Sequence, residues 1–187
     1  MPARTVAVLV GSLRKDSFNR KLGLALAKLA APGLVFRFVE IGDLPLYNQD
    51  LDGAFPPAAT RLKEEVRAAD AVLFVSPEYN RAVPGVLKNA IDWGSRPYGQ
   101  SVWAGKPAAI AGASPGAVGT AAAQQQLRAL LGYLDMPTLG QPEVFIQFKD
   151  GLIDGDGTVT NEGTKTFLAG FVTRFADWIE KISPAKA

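Results

Sequence analysis

A parallel β-sheet wound with helices on both faces, forming one α/β domain over residues 1–187, is the fold this sequence predicts. Three observations predict it. Thr5–Val10 and Ala71–Val75 are short, almost wholly apolar and β-branched, the pattern of strands covered on both faces. Segments with helical spacing alternate with the strand-like ones. The strand-like segments begin about every 35 residues, the rhythm of βαβ units.

The elements follow in order. Thr5–Val10 leads through Gly11–Asn19 into a helix whose apolar stripe is Phe18, Leu22, Ala25, Leu26 and Leu29. Leu34–Ile41 is a less uniform strand, suited to an edge. Phe55, Ala59, Leu62 and Val66 mark a second helix before the central strand Ala71–Val75. Pro84 opens a third helix as its first residue, where its missing N–H costs nothing, and the helix runs through Leu87, Ala90 and Ile91. Pro107–Ala113 is a strand of small residues, and Val118–Leu134 a helix ending near Met136-Pro137. Thr138 to Phe148 holds the last, edge-like strand. Asp150 to Asp156 forms an Asp-Gly turn, because neither register supplies the end ligands of a calcium loop. Leu168, Phe171, Val172, Phe175, Trp178, Ile179 and Ile182 build the final helix. Trp93, Trp103 and Trp178 belong to the core, an interface or the rim of a crevice.

Composition narrows the function. The 187 residues carry a net charge of +2, with Lys and Arg scattered rather than clustered, which argues against nucleic acid. No apolar run is long enough to span a membrane. The N-terminal Met1-Pro-Ala-Arg lacks the apolar stretch of a signal peptide, so a cytoplasmic protein is expected. There is no cysteine and no histidine. Disulfides, thiol nucleophiles and thiolate–metal sites are thereby excluded, and so is the commonest general base. Chemistry must come from carboxylates, hydroxyls, backbone dipoles or a cofactor.

Five βα units favour the strand order 2-1-3-4-5, with a ligand crevice beyond strands 1 and 3, where the winding reverses. The flanking loops are Gly11–Asn19 and Ser76–Arg81, with Gly112–Gly119 beside them. The first opens a helix, whose unpaired N–H groups and positive dipole suit a phosphate. Ser12, Ser17 and Asn19 add short donors, and Arg14 a guanidinium that can pair with phosphate oxygens twice. Plain capping by Asp16 or Ser17 accounts for the same residues. The loop is neither G-x-G-x-x-G nor a P-loop, so a Rossmann or P-loop nucleotide site is not indicated. Ser76-Pro-Glu-Tyr-Asn-Arg81 offers backbone N–H groups and Asn80 to a ring's edge and Tyr79 to its face; the alternative is an ordinary turn covering the helix at Pro84.

Gly112-Ala-Ser114-Pro-Gly116 matches the G-x-S-x-G nucleophile elbow of serine hydrolases. That reading lacks the histidine that must take the serine proton.

Together, Gly11-Ser-Leu-Arg-x-x-Ser-x-Asn19, Pro77-Glu-Tyr-Asn80 and Pro84-Gly-x-Leu-Lys-Asn-Ala-Ile-Asp-Trp93 resemble the NAD(P)H-dependent FMN reductases of flavodoxin-like fold, nearest the bacterial quinone and chromate reductase branch. The resemblance covers essentially the whole chain. It implies FMN as cofactor and NADPH or NADH as reductant. Ser12, Arg14, Ser17 and Asn19 would bind the FMN phosphate, in a loop that also offers Gly11 and Leu13. Pro77, Glu78, Tyr79 and Asn80 would hold the ribityl chain and isoalloxazine, and Ser114 and Gly116 lie in the loop that closes over the ring. It further implies a homodimer or homotetramer, and small-molecule electron acceptors such as quinones, free flavin, chromate or azo compounds. Hydride would pass from the nicotinamide to flavin N5 without a catalytic side chain. Backbone N–H groups near Pro77–Asn80 and the helix start at Gly116–Thr120 would stabilise charge on the reduced ring. A flavodoxin-type electron carrier shares the fold, but such carriers are typically acidic. A phospho-receiver domain needs acidic residues where this chain has Gly11-Ser12 and Ser76-Pro77.

Overall fold

A computed structural model describes residues 3–30 and 33–183; Met1-Pro2, at the expected leaderless start, lie outside the described residues. Five apolar runs form the strands β1 (Arg4–Val10), β2 (Leu34–Val39), β3 (Ala71–Val75), β4 (Ala108–Ser114) and β5 (Val144–Gln147). They lie parallel in the order β2-β1-β3-β4-β5, as expected from the βα rhythm. Val10 pairs with Val75, and Val75 with Ala111. The C-terminal ends of β1 and β3 are therefore level, while β4 runs on from Ala111 to Ser114 beside them, and the three loops emerge at the same edge of the sheet.

The helices are α1 (Phe18–Lys28), α2 (Pro57–Ala68), α3 (Gly85–Ser95), α4 (Ala121–Tyr133) and α5 (Glu162–Ile182). Strand side chains alternate between two cores. Val6, Val8, Leu73 and Val75 pack with Leu22 and Leu26 of α1 and with Phe171 and Phe175 of α5. Ala7, Leu9, Val72 and Phe74 pack on the other face with Leu62 of α2, Leu87 and Trp93 of α3 and Leu127 of α4. Each large side chain so buried contributes about 1.5–3 kcal/mol. Both faces of the central strands are covered, which is why β1 and β3 read as continuous apolar runs rather than alternating ones.

Trp93 and Trp103 are fully buried, and each indole N–H reaches a carbonyl: Pro45 O at 2.7 Å and Ile91 O at 2.9 Å. Trp178 is half-buried and donates to Pro137 O at 3.0 Å.

Some boundaries differ from expectation for local reasons. Pro84 is the N-cap of α3, not its first residue. The expected helix from Val118 starts at Ala121, because Gly119 takes a left-handed φ of 63° against the backbone of Phe145. Thr138 makes only an isolated bridge to Ala108, and the last strand begins at Val144, since prolines 137 and 142 have no N–H for a ladder. Between β5 and α5, Gly157 N–H donates to Asp154 O at 3.0 Å, closing the expected turn. No helix among the described residues is long and apolar enough to cross a membrane.

Candidate functional site

The C-terminal ends of β1, β3 and β4 open onto a cleft of about 170 Å³. Glycines let its walls approach. A Cβ on Gly11 would lie 3.1 Å from Leu87 Cδ2 and 3.2 Å from Pro77 Cδ, so the loops after β1 and β3 touch because that side chain is absent. Gly112 is tighter: its Cβ would strike the carbonyl of Ser76 and the side chain of Thr120.

One wall is the loop from β1 into α1. Ser17 is the N-cap of α1, and its Oγ accepts the N–H of Arg20 at 3.2 Å. Its hydroxyl hydrogen remains available, as does the hydroxyl of Ser12. Phe18 and Asn19 are the first two helical residues, whose N–H groups have no intrahelical acceptor. The Arg14 guanidinium lies 5.0 Å over the Phe18 ring and makes no ion pair among the described residues. These groups are donors, and the dipole of α1 adds positive potential. Asp16 is exposed in the turn before the helix. Leu13 is 60% exposed and leans towards Gly42 rather than into the cleft, so only its backbone could meet a ligand.

Asn19 takes a different role from the hydroxyls. Its Nδ2 donates to Ala113 O at 2.8 Å and its Oδ1 accepts Ala113 N–H at 2.9 Å. The amide lines the cleft, but both ends are committed to β4. It stitches α1 to the sheet and fixes where the donors stand.

The opposite wall is the loop from β3 into α3. Pro77 is buried and Tyr79 is 49% exposed. Tyr79 and Ala82 exchange backbone bonds of 3.1 and 3.0 Å, closing a tight turn. Its two central residues, Asn80 and Arg81, have φ of 52° and 65°, the signature of a type I′ turn. Asn tolerates this; Arg81 does so at a cost of about 1–2 kcal/mol. The N–H groups of Asn80 and Arg81 and the Asn80 amide have no partner among the described residues. The Glu78 side chain turns to α4 instead, accepting the N–H of Ala123 at 3.0 Å. The start of α4 therefore already carries a carboxylate, a point against the expectation that its dipole serves a charged ring.

The third loop brings Ser114 and Pro115 to the cleft. Ser114 Oγ accepts the N–H of Gly116 at 3.2 Å, so Gly116 shapes the loop from an exposed position. Pro115 O accepts from Gln147 Nε2 at 3.4 Å. A nucleophile elbow places its serine on a sharp strand-to-helix turn. Here residues 115–120 intervene before α4, and the hydrolase reading fails on geometry as well as on the missing base.

The structure thus gathers Ser12, Arg14, Ser17, Asn19, Pro77, Glu78, Tyr79 and Ser114 around one cleft, while Leu13, Asn80 and Gly116 flank it and Gly11 lets the loops close. Two features escaped sequence reading. Phe18 stacks on Phe148 with centroids 4.3 Å apart, a contact between α1 and the residue after β5 with no local signal. The Glu78–Ala123 bond is equally non-local. A larger hollow of about 450 Å³ lies between β2 and α2, lined by Arg37, Val39 and Glu65 among others. It shares no residue with these loops.

The donor set fits a flavin nucleotide. It offers hydroxyls, free N–H groups and a guanidinium to an anion at one end, and a turn with spare N–H groups and an aromatic side chain at the other. A five-stranded 2-1-3-4-5 sheet with such a crevice defines the flavodoxin-like class. A flavodoxin from Pseudomonas aeruginosa superposes with a TM-score of 0.55 at 22% identity, over 92% of this chain and 99% of that one. The sequence profile of the NADPH-dependent FMN reductases matches residues 4–151, and the chain belongs to that family. It is 52% identical over 177 residues to a 2-hydroxy-1,4-benzoquinone reductase of a Burkholderia species, covering 95% of this chain and 97% of the other. A quinone reductase of Pseudomonas putida is 54% identical over 177 residues, 94% and 95% of the two chains. The structure of the flavoenzyme NAD(P)H:(acceptor) oxidoreductase FerB from Paracoccus denitrificans superposes with a TM-score of 0.92 at 52% identity, covering 96% of this chain and 98% of that one.

Proposed function

We propose that this chain is an NAD(P)H-dependent quinone reductase that works through FMN bound in the cleft at β1, β3 and β4. The net reaction takes NAD(P)H, a quinone and one proton to NAD(P)⁺ and the hydroquinone, a transfer of two electrons. The observation that carries the reading is the pairing, in a member of this family, of a donor-rich wall at the start of α1 with a tight turn at Tyr79–Ala82 across the cleft. Bound FMN would supply the two-electron chemistry, since a chain without cysteine has no dithiol to carry it.

The chain's own residues bind and orient. Ser12, Ser17, Arg14 and the N–H groups opening α1 would take the phosphate. Pro77, Tyr79 and the turn at Asn80 would take the ribityl chain and ring, with Glu78 contributing its backbone. The cleft, at about 170 Å³, is smaller than an ordinary site for a drug-sized molecule, so FMN seated there would keep part of its surface open, and a flat acceptor would stack on that open face. Quinones suit that face, in keeping with the names of the relatives above. Either nicotinamide serves as reductant, and a cytoplasmic setting supplies both.

Protein reconstituted with FMN should be yellow. It should bleach under anaerobic conditions on addition of NADPH or NADH and recolour when a benzoquinone is added. Protein that stays colourless after reconstitution overturns the reading.

A homodimer or homotetramer is part of the proposal. Tyr98 and Tyr133, 89% and 87% exposed, line grooves along α3 and α4, and apolar surface of that kind favours a cover. Light scattering that returns the mass of a single 19.8 kDa chain removes this part.

A further inference from the structure

Glu78 is a shielded carboxylate that the scheme above leaves without a task. Its side chain is 8% exposed in the wall of the cleft. Oε2 accepts the N–H of Ala123 at 3.0 Å, and Oε1 accepts from Arg81 Nη1 at 3.2 Å. Ala123 stands in the first turn of α4, whose N-cap, Thr120, makes no side-chain capping bond. Thr120 Oγ1 instead accepts from Gln124 Nε2 at 2.9 Å. A carboxylate from another part of the chain therefore satisfies an orphan N–H and sits at the positive end of the α4 dipole.

The same helix grips the turn a second time: Gln126 Nε2 donates to Arg81 O at 2.9 Å. Between these two attachments lie the left-handed residues Asn80 and Arg81. An L-residue such as arginine leaves that conformation when nothing holds it.

We propose that Glu78 and Gln126 are positioning residues that clamp the Tyr79–Ala82 turn onto α4, holding it in its ring-receiving shape before any ligand arrives. The proposal rests on the FMN reading above. A turn already in shape spares the ligand the ordering cost that a slack loop would impose.

The test combines FMN titration, followed by flavin fluorescence, with amide hydrogen exchange over residues 78–82 of the FMN-free protein. Wild type is compared with Glu78→Ala, Glu78→Gln and Gln126→Ala. Glu78→Ala should bind FMN about tenfold more weakly, as expected for loss of a charged hydrogen bond. Gln126→Ala should bind a few-fold more weakly, and both should exchange faster across the turn. Glu78→Gln keeps an acceptor for the Ala123 N–H and should recover most of the affinity. Gln126 is exposed, so its variant carries the test if Glu78→Ala does not fold. Lowered melting temperatures with unchanged FMN affinity and unchanged exchange, in folded variants, overturn the clamp. If wild type itself fails to bind FMN, the flavin reading falls, and exchange alone decides the clamp: faster exchange supports it and unchanged exchange overturns it.

Discussion

Asp156 has the most clearly displaced acidity of the described carboxyls. The Lys28 ammonium at 2.7 Å, then the N–H and hydroxyl of Thr158, hold its carboxyl down from 3.8 to about 2. A carboxyl depressed in the folded state stabilises the protein above its unfolded value, and that contribution disappears as pH falls through about 2. Asp156→Asn should therefore melt slightly below wild type near neutral pH, with the gap closing between about pH 4 and pH 2. Both partners are exposed, so added salt should narrow the gap as well. Thermal melts across pH and salt check this, and a gap that persists at the acid end contradicts it. At the same scale, Lys63 and Lys106 are pushed below the usual lysine range, chiefly by burial. Each places its ammonium on backbone carbonyls, Lys63 on Arg96 and Gln100 and Lys106 on Ala69, which makes them anchors for loops.

Among elements, the join of α1 to β4 matters most to the site. The Asn19 amide is buried and pairs with both the N–H and the C=O of Ala113. Removing it leaves two buried backbone groups without partners, at about 1–3 kcal/mol each. Asn19→Ala should lower the urea midpoint, with a loss of about 2–6 kcal/mol of stability, and weaken FMN binding in the protein that remains folded. An unchanged midpoint would mean that water replaces the amide without loss. The sequence shows Asn19 as a polar residue at a helix start and suggests a ligand contact. It does not show Ala113, a backbone partner far along the chain. Glu78 is a parallel case: its type, its loop and its place at the cleft are legible, but the helix whose N–H its side chain accepts is not.

For the whole molecule, the cleft predicts a linkage between cofactor and stability. Free FMN at about 100 times its dissociation constant should add about 2.7 kcal/mol. For a chain of this size that raises the melting temperature by about 5–10 °C. Arg14→Ala should shrink the rise at fixed FMN, because it removes the guanidinium proposed to pair with the phosphate. Differential scanning with and without FMN tests both statements, and an equal rise in the two proteins would place the phosphate elsewhere.

The sequence by itself determined the strand order, the two-sided cores and the loops that meet at the crevice. These follow from local hydrophobic pattern and from the limited ways five βα units can wind. It also determined that chemistry must come from carboxylates, hydroxyls, backbone dipoles or a cofactor, since no histidine or cysteine is present. Only the tertiary structure decided which polar groups in those loops are free. Among the described residues Ser12 and Arg14 keep their donors, whereas the Asn19 amide is spent on both backbone groups of Ala113 and the Glu78 carboxylate accepts the N–H of Ala123. The physical reason is that a polar side chain binds whatever backbone group folding brings beside it, and that neighbour comes from a distant part of the chain.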